Sequence, residues 1–264
     1  MTDLVLTHQR DHLFEITLNR PEKRNAINHD MLYGLQAALD AAEKAPGVRA
    51  VVLRGNGPTF SSGIDVTEFL TFPQRYGDNW PQQMVKISEQ LQHILTRFER
   101  SHLPVIALLH SHCLGLALEL ALACDFRFAI TGTQLGLPET RLGIIPDVGG
   151  TTRLTRLIGP ARAKQLILTG RRISAEQALD WQLIDGIAAG ETDLLAQADA
   201  LADEIAQAAP LAVAGAKRVI AALADIDRGL QLEAIVQVPL IQSQDFIHGV
   251  QAFLTRQPPK WQSK

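Results

Sequence analysis

Cys113-Leu-Gly-Leu-Ala-Leu-Glu-Leu-Ala-Leu-Ala-Cys-Asp125 is an apolar, helix-like run with one carboxylate, Glu119, in its middle. A short apolar segment precedes it, Val105–Leu109, and another follows, Phe126–Ile130. Apolar runs of that length have the composition of strands buried on both faces. Strand, helix and strand in this order predict a parallel βαβ arrangement, and so an α/β fold. An ionised glutamate among leucines and alanines is unfavourable unless something pairs with it or uses it. Gly115, just ahead of the run, gives the backbone freedom to turn N–H groups toward a ligand at the helix start.

The chain's 264 residues suffice for a large core without disulfide or metal staples. With 46% hydrophobic and 20% charged residues the composition is that of a folded domain. A net charge of −3 argues against nucleic acid as the principal partner. Both cysteines, Cys113 and Cys124, lie in the apolar run, where buried free thiols are expected. The first twelve residues, Met1 to His12, lack the basic-then-apolar pattern of a secretory signal, and no apolar run is long enough to span a bilayer. A cytoplasmic protein without membrane association is therefore expected.

Elsewhere the pattern predicts short strands at Leu4–Leu6, Leu13–Leu18 and Ala50–Leu53, and helices over 29–44 and 79–99. From Thr151 onward helical patterns dominate: 151–157, 161–169, 174–181, 192–208, 211–224, and a long one over 229–256. We divide the chain into a core with the candidate site, residues 1–195, and a helical region serving oligomerisation, residues 196–264.

Three segments carry candidate chemistry. Leu116 stands at the start of the apolar helix, where backbone N–H groups are unpaired and the helix dipole is positive. Glu119 lies three residues on, on the same face, so a developing oxyanion at the helix start would have a carboxylate close by. In Phe60-Ser-Ser-Gly-Ile-Asp65, Gly63 frees the backbone so that Ile64 can present a second N–H, although an ordinary glycine turn explains the same residues. In Leu137-Pro-Glu-Thr140, Pro138 stiffens the approach to Glu139, which by itself reads as a surface carboxylate. Asp147, in Pro146-Asp-Val-Gly-Gly150, reads most simply as the cap or first-turn acid of the next helix.

Taken together the segments resemble the crotonase, or enoyl-CoA hydratase/isomerase, superfamily. The resemblance runs from Leu18-Asn-Arg-Pro-Glu-Lys-Arg-Asn-Ala-Ile-Asn28 through Phe60–Asp65 and the apolar run. It continues through Leu137–Gly159 and Leu168–Asp185 to the apolar helix reaching Phe253. It implies a crotonase-like spiral of ββα units with a C-terminal helical trimerisation region, hence a homotrimer or a dimer of trimers. It implies an acyl-CoA thioester as substrate, with no cofactor and no metal beyond the coenzyme A that the substrate itself carries. The thioester carbonyl would sit in an oxyanion hole formed by the N–H groups of Ile64 and Leu116. Family members usually carry glycine where Leu116 stands; only the N–H is required, so the leucine side chain must point elsewhere.

The resemblance also assigns Glu119 and Glu139 to the two glutamates with which family hydratases add water to a trans-2-enoyl-CoA. Asp147 falls where hydratases carry glycine and dienoyl-CoA isomerases carry an aspartate, as do family dehalogenases, which use it as a nucleophile. Enoyl-CoA hydratase is the reading adopted. A dienoyl-CoA or enoyl-CoA double-bond isomerase using Glu139 and Asp147 is the enzymatic alternative, and an acyl-CoA-binding or scaffold subunit without turnover the non-enzymatic one. For the coenzyme, the resemblance points to Lys23 and Arg24 beside the nucleotide, to Ser62, Ile64, Asp65 and Val66 along the pantetheine, to Leu116, and more weakly to Lys260. His110-Ser-His-Cys113 resembles a ligand set, but no further cluster completes a tetrahedron. Gly55-x-Gly57 lacks the third glycine of a dinucleotide loop.

Overall fold

The computed structural model describes residues 3–222 and 226–258; Lys260 lies outside them. Strands β1 (Val5–Arg10) and β2 (Leu13–Leu18) form an antiparallel hairpin, and helix α1 (His29–Lys44) follows, its first turn capped by the Asn28 side chain accepting from the Met31 N–H at 3.0 Å. Next come β3 (Ala50–Gly55), the short α2 (Phe72–Tyr76), α3 (Met84–Arg100) and β4 (Val105–Leu109). Then follow β5 (His112–Leu114), α4 (Leu116–Leu122), β6 (Phe126–Ile130), β7 (Gln134–Gly136) and α5 (Gly150–Thr169). The chain closes with β8 (Arg172–Ser174), α6 (Ala175–Asp180), β9 (Gly186–Ala188), α7 (Glu191–Gln207), α8 (Pro210–Ala222), α9 (Ile226–Ile241) and α10 (Gln244–Thr255).

Two sheets organise these elements. The larger has the order β1-β2-β3-β4-β6-β9 and is parallel from β2 onward; the smaller is β5-β7-β8. From β2 to α5 each turn of the chain gives a strand to the large sheet, then a short extended piece that stacks on or joins the small one, then a helix, whereas β9 runs directly into α7. The short pieces stack in register: Ile27 bridges Ile64, Ser61 bridges Cys113, Cys113 pairs with Leu135, and Leu135 with Ile173. This is the expected spiral of ββα units. Alternation along the strands explains their continuous hydrophobicity. Val51 and Leu53 face the main core, whereas Ala50 and Val52 face a second core covered by Leu194, Ala198 and Ala202 of α7.

The structure corrects several expectations. The helix expected over 79–99 begins only at Met84, after a separate 3-10 turn at Trp80–Gln83 that contains Pro81. The two helices expected over 151–157 and 161–169 are both present: α5 is broken at Gly159 (φ 76°, ψ 162°), just before Pro160. The long helix expected over 229–256 is broken, because Ser243 Oγ accepts from the Phe246 N–H at 3.1 Å and starts α10 afresh. The boundary at residue 195 falls inside α7, which closes the second core. Among the described residues no single helix is long and apolar enough to cross a membrane; α7 and α8 meet that test only together, and they are bent by 107°.

Candidate active site

The stacked bridges bring the two oxyanion segments together. Gly63 (φ 96°) and Gly115 (φ 54°) both occupy the left-handed half of conformational space that favours glycine. They also lie against each other: a methyl group on Gly63 would sit 2.6 Å from the Leu114 carbonyl oxygen and 3.6 Å from Gly115 Cα. On one side of the Ile27–Ile64 bridge, Ile27 N–H donates to the Gly63 carbonyl and Asp65 N–H donates to the Ile27 carbonyl, each at 2.8 Å. The Ile64 N–H is thereby turned to the other side. Leu116 is the first residue of α4, so its N–H has no acceptor within the helix. Among the described residues neither of these N–H groups donates a hydrogen bond within the chain. The Leu116 side chain is 3% exposed and belongs to the main core, so the leucine leaves the backbone face of the pair open.

Glu139 closes one side of this gap. It opens the 3-10 turn Glu139–Leu142 that follows Pro138, and a methyl group on Gly115 would lie 3.0 Å from its Oε1. Its Oε2 is buried without a partner among the described residues. Burial raises its carboxyl to about 8, helped by the charge of Asp147 and opposed by its own backbone N–H. Glu139 is thus no surface carboxylate: it is 7% exposed.

Glu119 sits behind the gap. Its Oε2 accepts from the N–H groups of Val148 at 2.8 Å and Gly150 at 2.7 Å, so α4 is tied through this one oxygen to the start of α5. Its carboxyl is pushed well above the ordinary carboxylate range by burial, then by the charges of Glu139, Asp147 and Glu233, with the Gly150 N–H acting the other way.

Asp147 is not the cap of α5, whose cap position is Gly149. Its Oδ2 accepts from Ser88 Oγ at 2.5 Å, and its carbonyl accepts from Gln92 Nε2 at 2.6 Å, both on α3. The cap reading fails because other carboxylates already hold those N–H groups. Burial raises the Asp147 carboxyl to about 6, against the bonds from Ser88, its own N–H and Gln237.

The gap opens into a cleft of about 370 Å³ lined by Lys23, Arg24, Ser62, Ile64, Asp65 and Val66, with Gly115 and Glu139 at its inner end and Leu142 and Phe253 on its walls. The family profile described as enoyl-CoA hydratase/isomerase matches residues 8–264. The chain belongs to that family. It is 37% identical over 263 residues to an enoyl-CoA isomerase/hydratase of Mycosarcoma maydis, covering 96% of this chain and 93% of the relative. It is 31% identical over 266 residues to the mitochondrial Delta(3,5)-Delta(2,4)-dienoyl-CoA isomerase of Rattus norvegicus, covering 97% of this chain and 80% of the relative. The crystal structure of an enoyl-CoA hydratase from Mycobacterium avium subsp. paratuberculosis K-10 superposes with a TM-score of 0.84 at 27% identity, covering 98% of each chain.

Within this enoyl-CoA hydratase/isomerase chain, Lys23, Arg24, Ser62, Ile64, Asp65, Val66 and Glu139 all line the cleft, whereas Leu116, Glu119 and Asp147 lie behind it. Asp65 faces inward: its carboxylate accepts from Arg20 Nη1 at 2.6 Å and from Thr67, which together hold it below its usual range although burial pushes the other way. Sequence reasoning missed the residues that support the site. Asn25 is fully buried with φ 50°, and its Nδ2 donates to the carbonyls of Asn56, Thr59 and Phe60, holding the Lys23–Arg24 turn beside the Ser62 segment. Ser88 and Gln92 gave no signal, being polar residues on an amphipathic helix. Glu233 and Gln237 on α9 did give one: a lone glutamate in an apolar helix is the feature that singled out Glu119. His110 and His112 hydrogen-bond the Gly57 carbonyl at 3.0 Å and Ser111 at 2.9 Å respectively, and among the described residues no three His, Cys, Asp or Glu could hold a metal. Both cysteines are buried and free.

Proposed function

We propose that the protein hydrates a trans-2-enoyl-CoA, and that the reading rests on one juxtaposition: two free backbone N–H groups, Ile64 and Leu116, beside two buried carboxyls, Glu139 and Glu119. The thioester carbonyl accepts from both N–H groups and becomes the enolate oxygen as water adds at C3. Glu139, protonated at neutral pH, delivers its proton to the α-carbon. Protonation of Glu139 also removes one of the negative charges that disfavour ionised Glu119, whose Oε2 keeps two N–H donors. Burial still weighs most against ionised Glu119; in that form it is the base that takes the water proton. Coenzyme A, as part of the substrate, is held by Lys23 and Arg24 at its phosphates and by Ser62 and the Ile64–Val66 backbone along the pantetheine; no separate cofactor takes part. Exposed Leu211, Ile220, Leu232, Ile235 and Phe253 on α8, α9 and α10 are the surface we assign to trimer formation.

The test is loss of ultraviolet absorbance from crotonyl-CoA. Turnover by the wild type that falls by about 10² or more in Glu119→Gln is expected. A second reading is favoured by Asp147, whose buried carboxyl sits with Glu119 and Glu139 where it can pass protons along a conjugated diene. If the wild type ignores crotonyl-CoA but isomerises a 3,5-dienoyl-CoA, and Asp147→Asn stops that, the hydratase reading is wrong.

A further inference from the structure

The turn Pro146–Gly150 and the first residues of α5 are gripped by two carboxylates from different helices. Glu119 of α4 takes the N–H groups of Val148 and Gly150. Glu233 of α9 takes the alternating ones, Gly149 at 2.7 Å through Oε2 and Thr152 at 2.6 Å through Oε1. One helical turn further along α9, Gln237 Oε1 accepts from the Ile145 N–H at 3.1 Å, and one turn before, the Leu230 carbonyl accepts from the same Gln92 Nε2 that holds the Asp147 carbonyl. Leu230, Glu233 and Gln237 share one face of α9 by their spacing. That face holds the turn carrying Asp147 from the side opposite Glu119.

We propose, building on the reading of the site as an enoyl-CoA acid–base centre, that Glu233 is a positioning residue: it fixes the backbone to which Glu119 is anchored and so sets where the Glu119 carboxylate stands. Without it the Gly149 and Thr152 N–H groups lose their acceptors, and a turn containing two successive glycines settles elsewhere, taking its two bonds to Glu119 with it. A pure helix cap would act on stability alone. Glu233 acts on the chemistry as well, because its charge is one of those that Glu119 experiences. The charged and titratable groups that bear on it are Asp147 in the turn and Glu119 on α4, while Arg153 of α5, paired with Glu99 of α3 at 3.0 Å, donates to the Val148 carbonyl of the same turn.

The experiment measures kcat and KM across pH on whichever thioester the wild type turns over, for wild type, Glu233→Gln and Glu233→Asp. Glu233→Gln is expected to lower kcat about ten-fold or more with KM within about two-fold. Burial raises the Glu233 carboxyl to about 7, so it carries a charge beside Glu119 above that pH; with that charge gone, the acid limb of the kcat profile should move to lower pH. Glu233→Asp, which keeps the charge but is one methylene short of reaching both N–H groups, is expected to lower kcat while leaving that limb in place. An active wild type whose kcat and acid limb are unchanged by Glu233→Gln overturns the inference and leaves the functional reading standing. Should Glu233→Gln not fold, a wild-type kcat in Glu233→Asp overturns it equally. A wild type inert toward both enoyl- and dienoyl-CoA overturns the functional reading, and the positioning role with it.

Discussion

Glu139 carries two opposed demands. The proposed reaction asks that its carboxyl lie buried against Gly115 to meet the α-carbon, and burial is what raises it from the ordinary 4.5 to about 8. The folded chain therefore holds this proton more tightly than the unfolded chain does. Below about pH 4.5 both states are protonated and the penalty is absent; it grows as pH rises through the window and is complete above about 8. Glu139→Gln removes the charge while keeping the shape. We expect activity to fall by about 10² or more. We also expect Tm at pH 8 to rise by roughly 2–4 °C above wild type, about 1 kcal/mol net after the unpartnered amide is allowed for, and the gain to vanish at pH 4.5. Melting curves at the two pH values check this; a lower Tm for the variant at pH 8 would show that Glu139 is not a strained, neutral acid.

At the scale of elements, the start of α5 is where the site is assembled, and its glycines are there for room as well as for conformation. A methyl group on Gly150 would lie 2.8 Å from both Cγ and Oε2 of Glu119. Gly150→Ala must therefore push Glu119 off its two N–H donors, while the cleft that would hold coenzyme A, some elements away, is untouched. The expected outcome is kcat lowered by about 10² with KM near wild type, read from saturation curves on the active thioester. An equal loss in KM would mean that the turn serves binding instead. The long strands and helices around this junction were legible because burial on both faces leaves continuous apolar runs, as in Val105–Leu109. The short strands β5, β7 and β8 were not: three residues cannot show a period, and their pairing through Cys113 and Leu135 is a product of the spiral.

For the whole molecule, what the sequence hid was the depth to which the C-terminal helices enter the core. Glu119, Glu139 and the two N–H donors were visible as local motifs joined by a family resemblance. Glu233 was not assigned a role, because residues 196–264 were read as a surface for other subunits. Yet α7 seals the second core through Leu194, Ala198 and Ala202, and Glu233 and Gln237 on α9 hold the Asp147 turn. On α10, a methyl group on Gly249 would stand 2.6 Å from the Leu142 carbonyl oxygen, so this helix lies directly on the turn that carries Glu139. Ending the chain at Ala222 would remove α9 and α10, unpair the Gly149 and Thr152 N–H groups and take Phe246 and Val250 out of the main core, exposing the side chains packed against them. Loss of apolar burial at about 25 cal/mol per Å² over two helices exceeds the few kcal/mol that hold a domain folded. The truncated chain should therefore lack near-ultraviolet circular dichroism and a cooperative urea transition, in contrast to the full chain. If it instead keeps a cooperative transition and merely fails to associate, the C-terminal helices are an appendage after all, and the division at the end of the core was drawn in the right spirit.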